Sequence, residues 1–271
     1  MDLKTLCVKI RLQKEMIGKI EEFLSSFDVA SISDEIDGFL NEETAYITYE
    51  KLHERFKDEK DNTAILVCYL LACLKVYDDY KLNGIKEEIF IDTMACFSRF
   101  IEECKEKTGV YDFDRAWWTH KQVSQVIYRI GELEYEFISK EKHISIHIPS
   151  DALLTKEKLE ESFKLLFEFI KNHKKEYIGK QVKCDTWLLS IKLKELLSEN
   201  SKILNFQNCF DIIKVDEMND GCFVWVFKQN YHQNYKLLPE NTSLQKKIKN
   251  IMINNGHLGS ATGILKEKYY E

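Results

Sequence analysis

Residues 130–149 read IGELEYEFISKEKHISIHIP, and this stretch decides the fold class. Polar and apolar residues alternate from 130 to 138, which predicts a β-strand with one carboxylate-bearing face. Alternation returns at 143–149, where Ile144, Ile146 and Ile148 share a face. A short polar stretch, SKEK, joins the two runs. The sequence therefore predicts an antiparallel hairpin.

Beyond the hairpin, strand and helix patterns are mixed. We expect helices at about 155–173, 191–198 and 242–254, and strands at 184–189, 209–216 and 222–228. The closing segment GHLGSATG (256–263) is either a helix stop or a loop that gates substrate entry. This order predicts a mixed sheet with flanking helices rather than a repeated βα pattern.

The first part of the chain is helical throughout. Residues 63–79 are apolar on nearly all sides, which is typical of a buried central helix. We place the domain boundary where helices give way to mixed structure, so that 1–115 forms a helical domain and 116–271 a sheet domain. The predicted class is α+β.

Charge and composition exclude several functions. The net charge of the chain is −6, which is the sum of −9 for residues 1–115 and +3 for residues 116–271. The acidic first part disfavours a general nucleic-acid binder, which needs a basic surface. The longest apolar run, AILVCYLLACL (64–74), is shorter than the roughly 20 residues of a membrane span, and the N-terminus lacks the apolar core of a signal peptide. We expect a cytoplasmic protein without a membrane partner.

The cysteines do not indicate a metal site. The sequence has 8 Cys but no CxxC pattern and no matching His pair. We expect free thiols and no metal.

The connection after residues 143–149 predicts an anion site. A helix that starts directly behind a strand aims its free N–H groups at the strand's end. The glycine-rich turns of a Rossmann fold and of a P-loop are both absent. The element order is that of the latter part of the N-acetyltransferase (GNAT) fold.

Five short motifs carry a closer resemblance. They are YRIGELEYE (128–136), HIPSDALLT (147–155), CDTWLLS (184–190), SKILNFQNCFDI (201–212) and TSLQKKIKNIMINNGHLGSATG (242–263). In this order and spacing they resemble the bacterial acyltransferase domain-containing family. The resemblance implies a helical N-terminal domain packed on a GNAT-like domain, and acyl-CoA as co-substrate.

The resemblance also implies where the co-substrate binds. Backbone amides near Ser150, Asp151, Ala152 and Thr155 would hold the diphosphate, and Trp187 would line the cleft. Trp187 has an alternative role as a core residue. The stretch PSDALLT (149–155) contains none of the glycines of the usual GNAT phosphate loop. That difference favours an alternative, a non-catalytic GNAT-like module that has lost CoA binding.

Three residues of the hairpin are candidate catalytic groups. Glu134 and Glu136 are candidate general bases, because a carboxylate in a desolvated cleft can accept a proton from an amine. His147 is a candidate for proton transfer. The alternatives are a solvent-facing strand for the glutamates and a structural role for the histidine.

The functional hypothesis is direct transfer of an acyl group from acyl-CoA to a small-molecule or peptide amine. The mechanism needs a carboxylate base but no metal and no covalent intermediate. A hydrolase that uses the same carboxylates and His147 is a further alternative. The sequence predicts neither the acceptor nor the oligomeric state.

Overall fold

A computed structural model describes residues 1–59, 61–228 and 234–270, which form two compact units, Met1–Ile130 and Gly131–Glu271. The division comes after Ile130, later than the position 115 expected from the sequence. The helix and the strand that follow residue 115 pack on helices of the first unit, which explains the later division.

The described part of the first unit consists of helices followed by one strand. The elements are α1 (Leu3–Lys9), α2 (Lys14–Ser26), α3 (Ser33–Gly38), α4 (Glu42–Arg55), α5 (Thr63–Leu82), α6 (Glu87–Met94), α7 (Cys96–Thr108), α8 (Ala116–Val123) and β1 (Ile127–Ile130).

Helix α5 is the centre of the first unit. Its first three turns are apolar on all sides and buried, and α1, α2, α3, α4, α6 and α8 pack against the helix. Phe39 stacks on Tyr69 at 4.1 Å between ring centroids, and the Tyr69 hydroxyl donates to the carbonyl of Ala116 at 2.8 Å. The expected central helix is therefore confirmed.

The second unit combines five strands with five helices in its described residues. The elements are β2 (Leu133–Ile138), β3 (His143–His147), α9 (Lys156–His173), β4 (Val182–Thr186), α10 (Leu193–Leu196), α11 (Lys202–Gln207), β5 (Phe210–Asp216), α12 (Cys222–Phe227), α13 (Ser243–Ile253) and β6 (Ser260–Leu265). The strand order is β2-β3-β4-β6-β5, with β3 and β4 parallel and the other pairs antiparallel. The expected hairpin and mixed sheet are confirmed.

Helix α9 covers the apolar face of the hairpin. Thr155 caps it by accepting from the amide of Lys158, and its buried side includes Leu159, Phe163 and Leu166. Tyr135 on β2 shares a hydrogen bond of 2.8 Å with the hydroxyl of Ser162 on α9. This contact fixes which face of the hairpin lies against the helix.

The strand expected at 222–228 is wrong. Residues Cys222–Phe227 form helix α12, whose buried side chains join a cluster with Leu193, Ile248 and Met252. The apolar run CFVWVF suits a strand by composition, but the packing of Phe223 and Phe227 on one helical face decides the structure.

The end of GHLGSATG is a strand rather than a loop. Strand β6 lies between β4 and β5 in the sheet. Gly263 is required there, because a Cβ at this position would lie 2.8 Å from the Cβ of Phe210 and 3.1 Å from the Cδ1 of Leu189. The gating role considered for this end of the segment is therefore wrong.

The described residues include neither a membrane-spanning helix nor a metal-binding cluster. No helix there is both long enough and apolar enough to cross a bilayer. The same residues contain no group of His, Cys, Asp and Glu side chains that could hold a metal ion.

Candidate functional site

The second face of the β2–β3 hairpin is polar and buried. Glu134 pairs with His147 across the ladder and Glu136 with Ser145, so the four side chains lie on the same face. Glu134 is only 3% exposed and Glu136 only 7%. The alternative of a solvent-facing strand is therefore wrong for these two residues.

His147 and Glu136 form a hydrogen-bonded pair. The Nε2 atom of His147 lies 2.7 Å from the Oε2 atom of Glu136. The side chain of His147 is 29% exposed and that of Glu136 is 9% exposed, so the pair joins a buried carboxylate to an imidazole that solvent reaches. A carboxylate bound to an imidazole orients the ring and stabilises the charge that the ring acquires with a proton.

The parallel ladder of β3 and β4 next to this pair is short. Parallel pairing joins Ile144 to Val182 and Ser145 to Lys183, and the described register goes no further. Past these pairs, the thiol of Cys184 donates to the carbonyl of Ile146 at 3.5 Å. The described parallel ladder thus ends before the carboxyl end of β3, whose last residue is His147.

Cys184 acts as a hydrogen-bond donor and not as a nucleophile. Its side chain is fully buried, and desolvation raises the pKa of the thiol far above its usual range. The thiol therefore keeps its proton at neutral pH.

The connection from β3 to α9 already uses several of its amides. Ala152 N donates to Pro149 O at 3.1 Å, and Thr155 N donates to Leu153 O at 2.8 Å. Leu153 N donates to the Glu132 carboxylate at 2.9 Å. Ser150 and Asp151 lie in the same turn. The carboxylate of Glu132 thus stands beside the predicted diphosphate site.

The first turn of α9 offers the remaining donors. The amides of Lys156 and Glu157 have no acceptor within the described residues. The Lys158 ammonium lies 4.0 Å from the Glu132 carboxylate, and the Lys156 ammonium lies 3.9 Å from Glu160. This helix start therefore combines two amides with two exposed cationic side chains.

Trp187 and Asp185 lie at the end of β4. Trp187 follows the strand and packs against the cluster that contains Leu193 and Phe223. The Asp185 carboxylate accepts from the Thr262 hydroxyl at 2.6 Å. Of the predicted residues, Glu134, Glu136 and His147 share a face. Ser150, Asp151, Ala152 and Thr155 lie in the connection from β3 to α9, whereas Trp187 belongs to a separate packing cluster.

A second histidine–carboxylate pair was missed in the sequence. His257 Nδ1 lies 2.8 Å from Asp220 Oδ2, and the amide of Gly259 donates to the carbonyl of Asn219 at 3.1 Å. The Lys192 ammonium donates to the carbonyl of His257 at 2.6 Å. These contacts tie the segment before β6 to the turn after β5, beside an open groove of about 640 Å³. The only sequence signal was the separate turn pattern Asn-Asp-Gly.

Comparison with known proteins identifies the family. The model of the GNAT-like C-terminal domain matches residues 127–265, slightly more than half of the chain. The chain belongs to this family. The model of the N-acyltransferase N-terminal domain matches residues 1–125. The resemblance found in the sequence motifs is thereby confirmed.

Several solved structures share the fold of this GNAT-like family member. An acyltransferase variant in complex with octanoyl-CoA has a TM-score of 0.76 at 17% identity, over 97% of this chain and 87% of that chain. An acyltransferase in complex with decanoyl-CoA and teicoplanin has a TM-score of 0.70 at 17% identity, over 98% of this chain and 99% of the other. A search among curated proteins gives no significant match.

Proposed function

We propose that the protein transfers an acyl group from acyl-CoA to an amine on a small molecule. The observation that carries the proposal is the hydrogen bond between the buried Glu136 carboxylate and the partly exposed His147 imidazole, beside the short parallel ladder of β3 and β4. Membership of a GNAT-like family supports the reaction class. The structurally similar acyltransferases hold octanoyl-CoA, decanoyl-CoA and teicoplanin, which supports a medium-length donor and a small-molecule acceptor.

The donor would bind along the connection from β3 to α9. Its diphosphate would lie at the start of α9, on the amides of Lys156 and Glu157 and near the ammonium of Lys158. Ser150, Asp151, Ala152 and Thr155 would line the same turn. The pantetheine arm would lie between β3 and β4, past the end of their described ladder. Such a site places the thioester near His147.

The reaction then needs a proton acceptor at the attacking nitrogen. As the amine attacks the thioester carbonyl, a C–N bond forms, the C–S bond breaks, and the nitrogen loses one proton. His147 accepts this proton while the Glu136 carboxylate stabilises the imidazolium. The proton then passes to the departing CoA thiolate, so that an amide and free CoA are the products. Glu134 adds a second buried carboxylate on the same face.

Binding and chemistry are tested separately. Octanoyl-CoA at a hundred times its dissociation constant should stabilise the protein by about 2.7 kcal/mol in a thermal-unfolding titration. Amide formation is followed by mass spectrometry with octanoyl-CoA and a panel of amines, peptides included. His147→Asn should lower kcat/KM about 100-fold to 10,000-fold while the thermal shift by octanoyl-CoA remains.

A matched control comes from the second histidine–carboxylate pair. His257 is 30% exposed at its side chain, close to the 29% of His147, and it too contacts a carboxylate. His257→Asn should therefore leave most of the transfer rate intact. Equal losses in the two variants would contradict the assignment of His147.

The principal alternative is a binding module without CoA-dependent activity. It is favoured by the absence of glycine from 149–155. It is also favoured by the Glu132 carboxylate, which accepts a hydrogen bond from the Leu153 amide that a diphosphate would otherwise use. Absence of any thermal shift at millimolar octanoyl-CoA would support this alternative. Acyl release from an ester without any CoA compound would instead support a hydrolase.

A further inference from the structure

Strand β5 is an exposed edge of the sheet in the second unit. It pairs with β6 on one side and ends the strand order. Ile212, Ile213 and Val215 are 38%, 56% and 40% exposed. Within the described residues, no backbone hydrogen bond outside the β5–β6 ladder involves 211–216. An apolar edge with free backbone groups is a template for another strand.

The charged side chains of β5 are Asp211, Lys214 and Asp216, and none of them has an ion-pair partner in the described part of the chain. Asp211 pairs with Ile264 and Lys214 with Thr262, with a bulge between Ile212 and Lys214. Ile264 and Thr262 lie two residues apart on β6 and share a face. Asp211 and Lys214 therefore lie on the same face of the sheet.

A second copy of the same strand complements this pattern. In an antiparallel, two-fold symmetric pair that sets Asp211 opposite Lys214 of the other copy, each carboxylate meets an ammonium on the same face. The symmetry axis then passes between Ile212 and Ile213, so the exposed isoleucines of the two copies meet at the centre. Two charge pairs and a central apolar contact result.

Slipping the register weakens this pairing. A shift that instead sets Asp211 opposite Asp216 of the other copy places like charges together on the same face. A shift by one residue sets a charge on one face opposite an apolar side chain on the other. A shift that sets Lys214 opposite Asp216 of the other copy keeps opposite charges together, but it overlaps only residues 214–216 of the two strands, against 210–215 in the first register. Charge and overlap together thus favour one register among those that the exposed backbone allows.

We propose that two copies of this chain associate through antiparallel pairing of their β5 strands, with Asp211 opposite Lys214. The dimer joins the two sheets across the molecular two-fold axis. This inference is independent of the proposed acyl transfer, because no residue of the proposed site takes part.

Analytical ultracentrifugation over a wide range of protein concentrations tests the proposal. The wild-type chain should reach twice its mass of 32.1 kDa, and its dimer should weaken as salt is added. Asp211→Lys and Lys214→Asp should each raise the dimer Kd about tenfold or more, because two attractive pairs become repulsive. The double variant D211K/K214D should restore the wild-type Kd.

Glu199→Lys is the matched control, because it makes the same charge change at an exposed position outside β5. It should leave the dimer Kd unchanged, and circular dichroism of each variant verifies its fold. A wild-type chain that stays monomeric at every concentration would overturn the proposal. So would a dimer that tolerates the single charge reversals or is not restored by the double variant.

Discussion

His147 stands directly opposite Glu134 in the β2–β3 ladder, yet its imidazole binds the carboxylate of Glu136, its diagonal neighbour two residues along β2. Side chains on one sheet face reach such diagonal neighbours when they are long. The two buried glutamates are therefore not equivalent. Glu136 shares a hydrogen bond of 2.7 Å with the ring that is proposed to accept the proton, across a diagonal rather than a direct pair.

This asymmetry predicts different effects of two matched substitutions. Glu136→Gln should lower kcat about 100-fold or more, because the amide does not stabilise an imidazolium as a carboxylate does. Glu134→Gln should cost less kcat. Steady-state kinetics with octanoyl-CoA compares the two variants, and equal losses would argue against a special role for Glu136.

The helix start of α9 predicts a charge effect on donor binding. The substitution pair K156E/K158E should raise the KM for acyl-CoA about tenfold or more with little change in kcat, because it replaces attraction of the diphosphate by repulsion. Lys180→Glu changes an exposed charge outside this site and should leave KM alone. A fall in kcat at constant KM would contradict the proposed position of the diphosphate.

Removing the charge of Glu132 should strengthen acyl-CoA binding, whereas reversing the lysine charges should weaken it. Its carboxylate accepts from the amide of Leu153 and lies 4.0 Å from the ammonium of Lys158. Glu132→Gln removes a negative charge beside the proposed diphosphate, so the Kd of acyl-CoA should fall several-fold. Isothermal titration calorimetry measures the change. Weaker binding in this variant would place the diphosphate elsewhere.

A tight contact at Gly131 predicts a loss of stability. The residue has φ of +65°, and a Cβ there would lie 3.1 Å from the Cα and Cβ atoms of Ser162. Gly179 has φ of +71° but no atom within 4 Å of its Cβ position. Gly179→Ala should cost about 1–2 kcal/mol of unfolding free energy from backbone strain alone. Gly131→Ala should cost about 1–3 kcal/mol more, because the helix must move.

Urea denaturation of both glycine variants separates the cost of backbone strain from the cost of the steric contact with Ser162. The difference between them reports the approach of the turn before β2 to α9. Equal losses of unfolding free energy in the two variants would mean that α9 moves away from the new Cβ without an energetic cost.

Buried thiols predict a dependence of stability on pH. Desolvation raises the pKa of Cys68 to about 12 and that of Cys222 to about 12. An unfolded cysteine ionises near pH ~8.5, so the folded chain holds these protons more tightly than the unfolded chain. The contribution of these two thiols to the unfolding free energy should therefore be constant below that pH and should fall as pH rises toward about 12.

Denaturant titrations at increasing pH measure this fall. In the native state, the thiols should also react slowly with a disulfide reagent at neutral pH, because the thiolate is the reactive form. Rapid modification of Cys68 or Cys222 without unfolding would contradict their burial.

The alternating pattern was sufficient to predict the hairpin, because a period of two survives whatever packs on the strands. It could not predict that Glu134 and Glu136 are buried, since burial depends on residues far away in sequence. The strand expected at 222–228 was wrong for a related reason. Its residues favour strands locally, but the partners of Phe223 and Phe227 come from other helices.

The pair of His257 and Asp220 shows a further limit of sequence analysis. The two residues are 37 positions apart and meet only because β6 lies beside β5. By contrast, Glu136 and His147 are 11 positions apart within one hairpin. The register of a hairpin can be predicted from the local sequence, and it brings Glu136 and His147 together. The position of β6 between β4 and β5 cannot be predicted in this way.

The short parallel pairing of β3 with β4 has a mechanical consequence. In the described register it offers two rungs, at Ile144–Val182 and Ser145–Lys183, whereas β6 pairs with β5 at six positions. Separating β3 from β4 therefore breaks fewer inter-strand backbone hydrogen bonds than separating β5 from β6. Among the described ladders of this sheet, the one between β3 and β4 therefore opens with the loss of the fewest backbone hydrogen bonds. A bulkier ligand would be accommodated there at the lowest energetic cost.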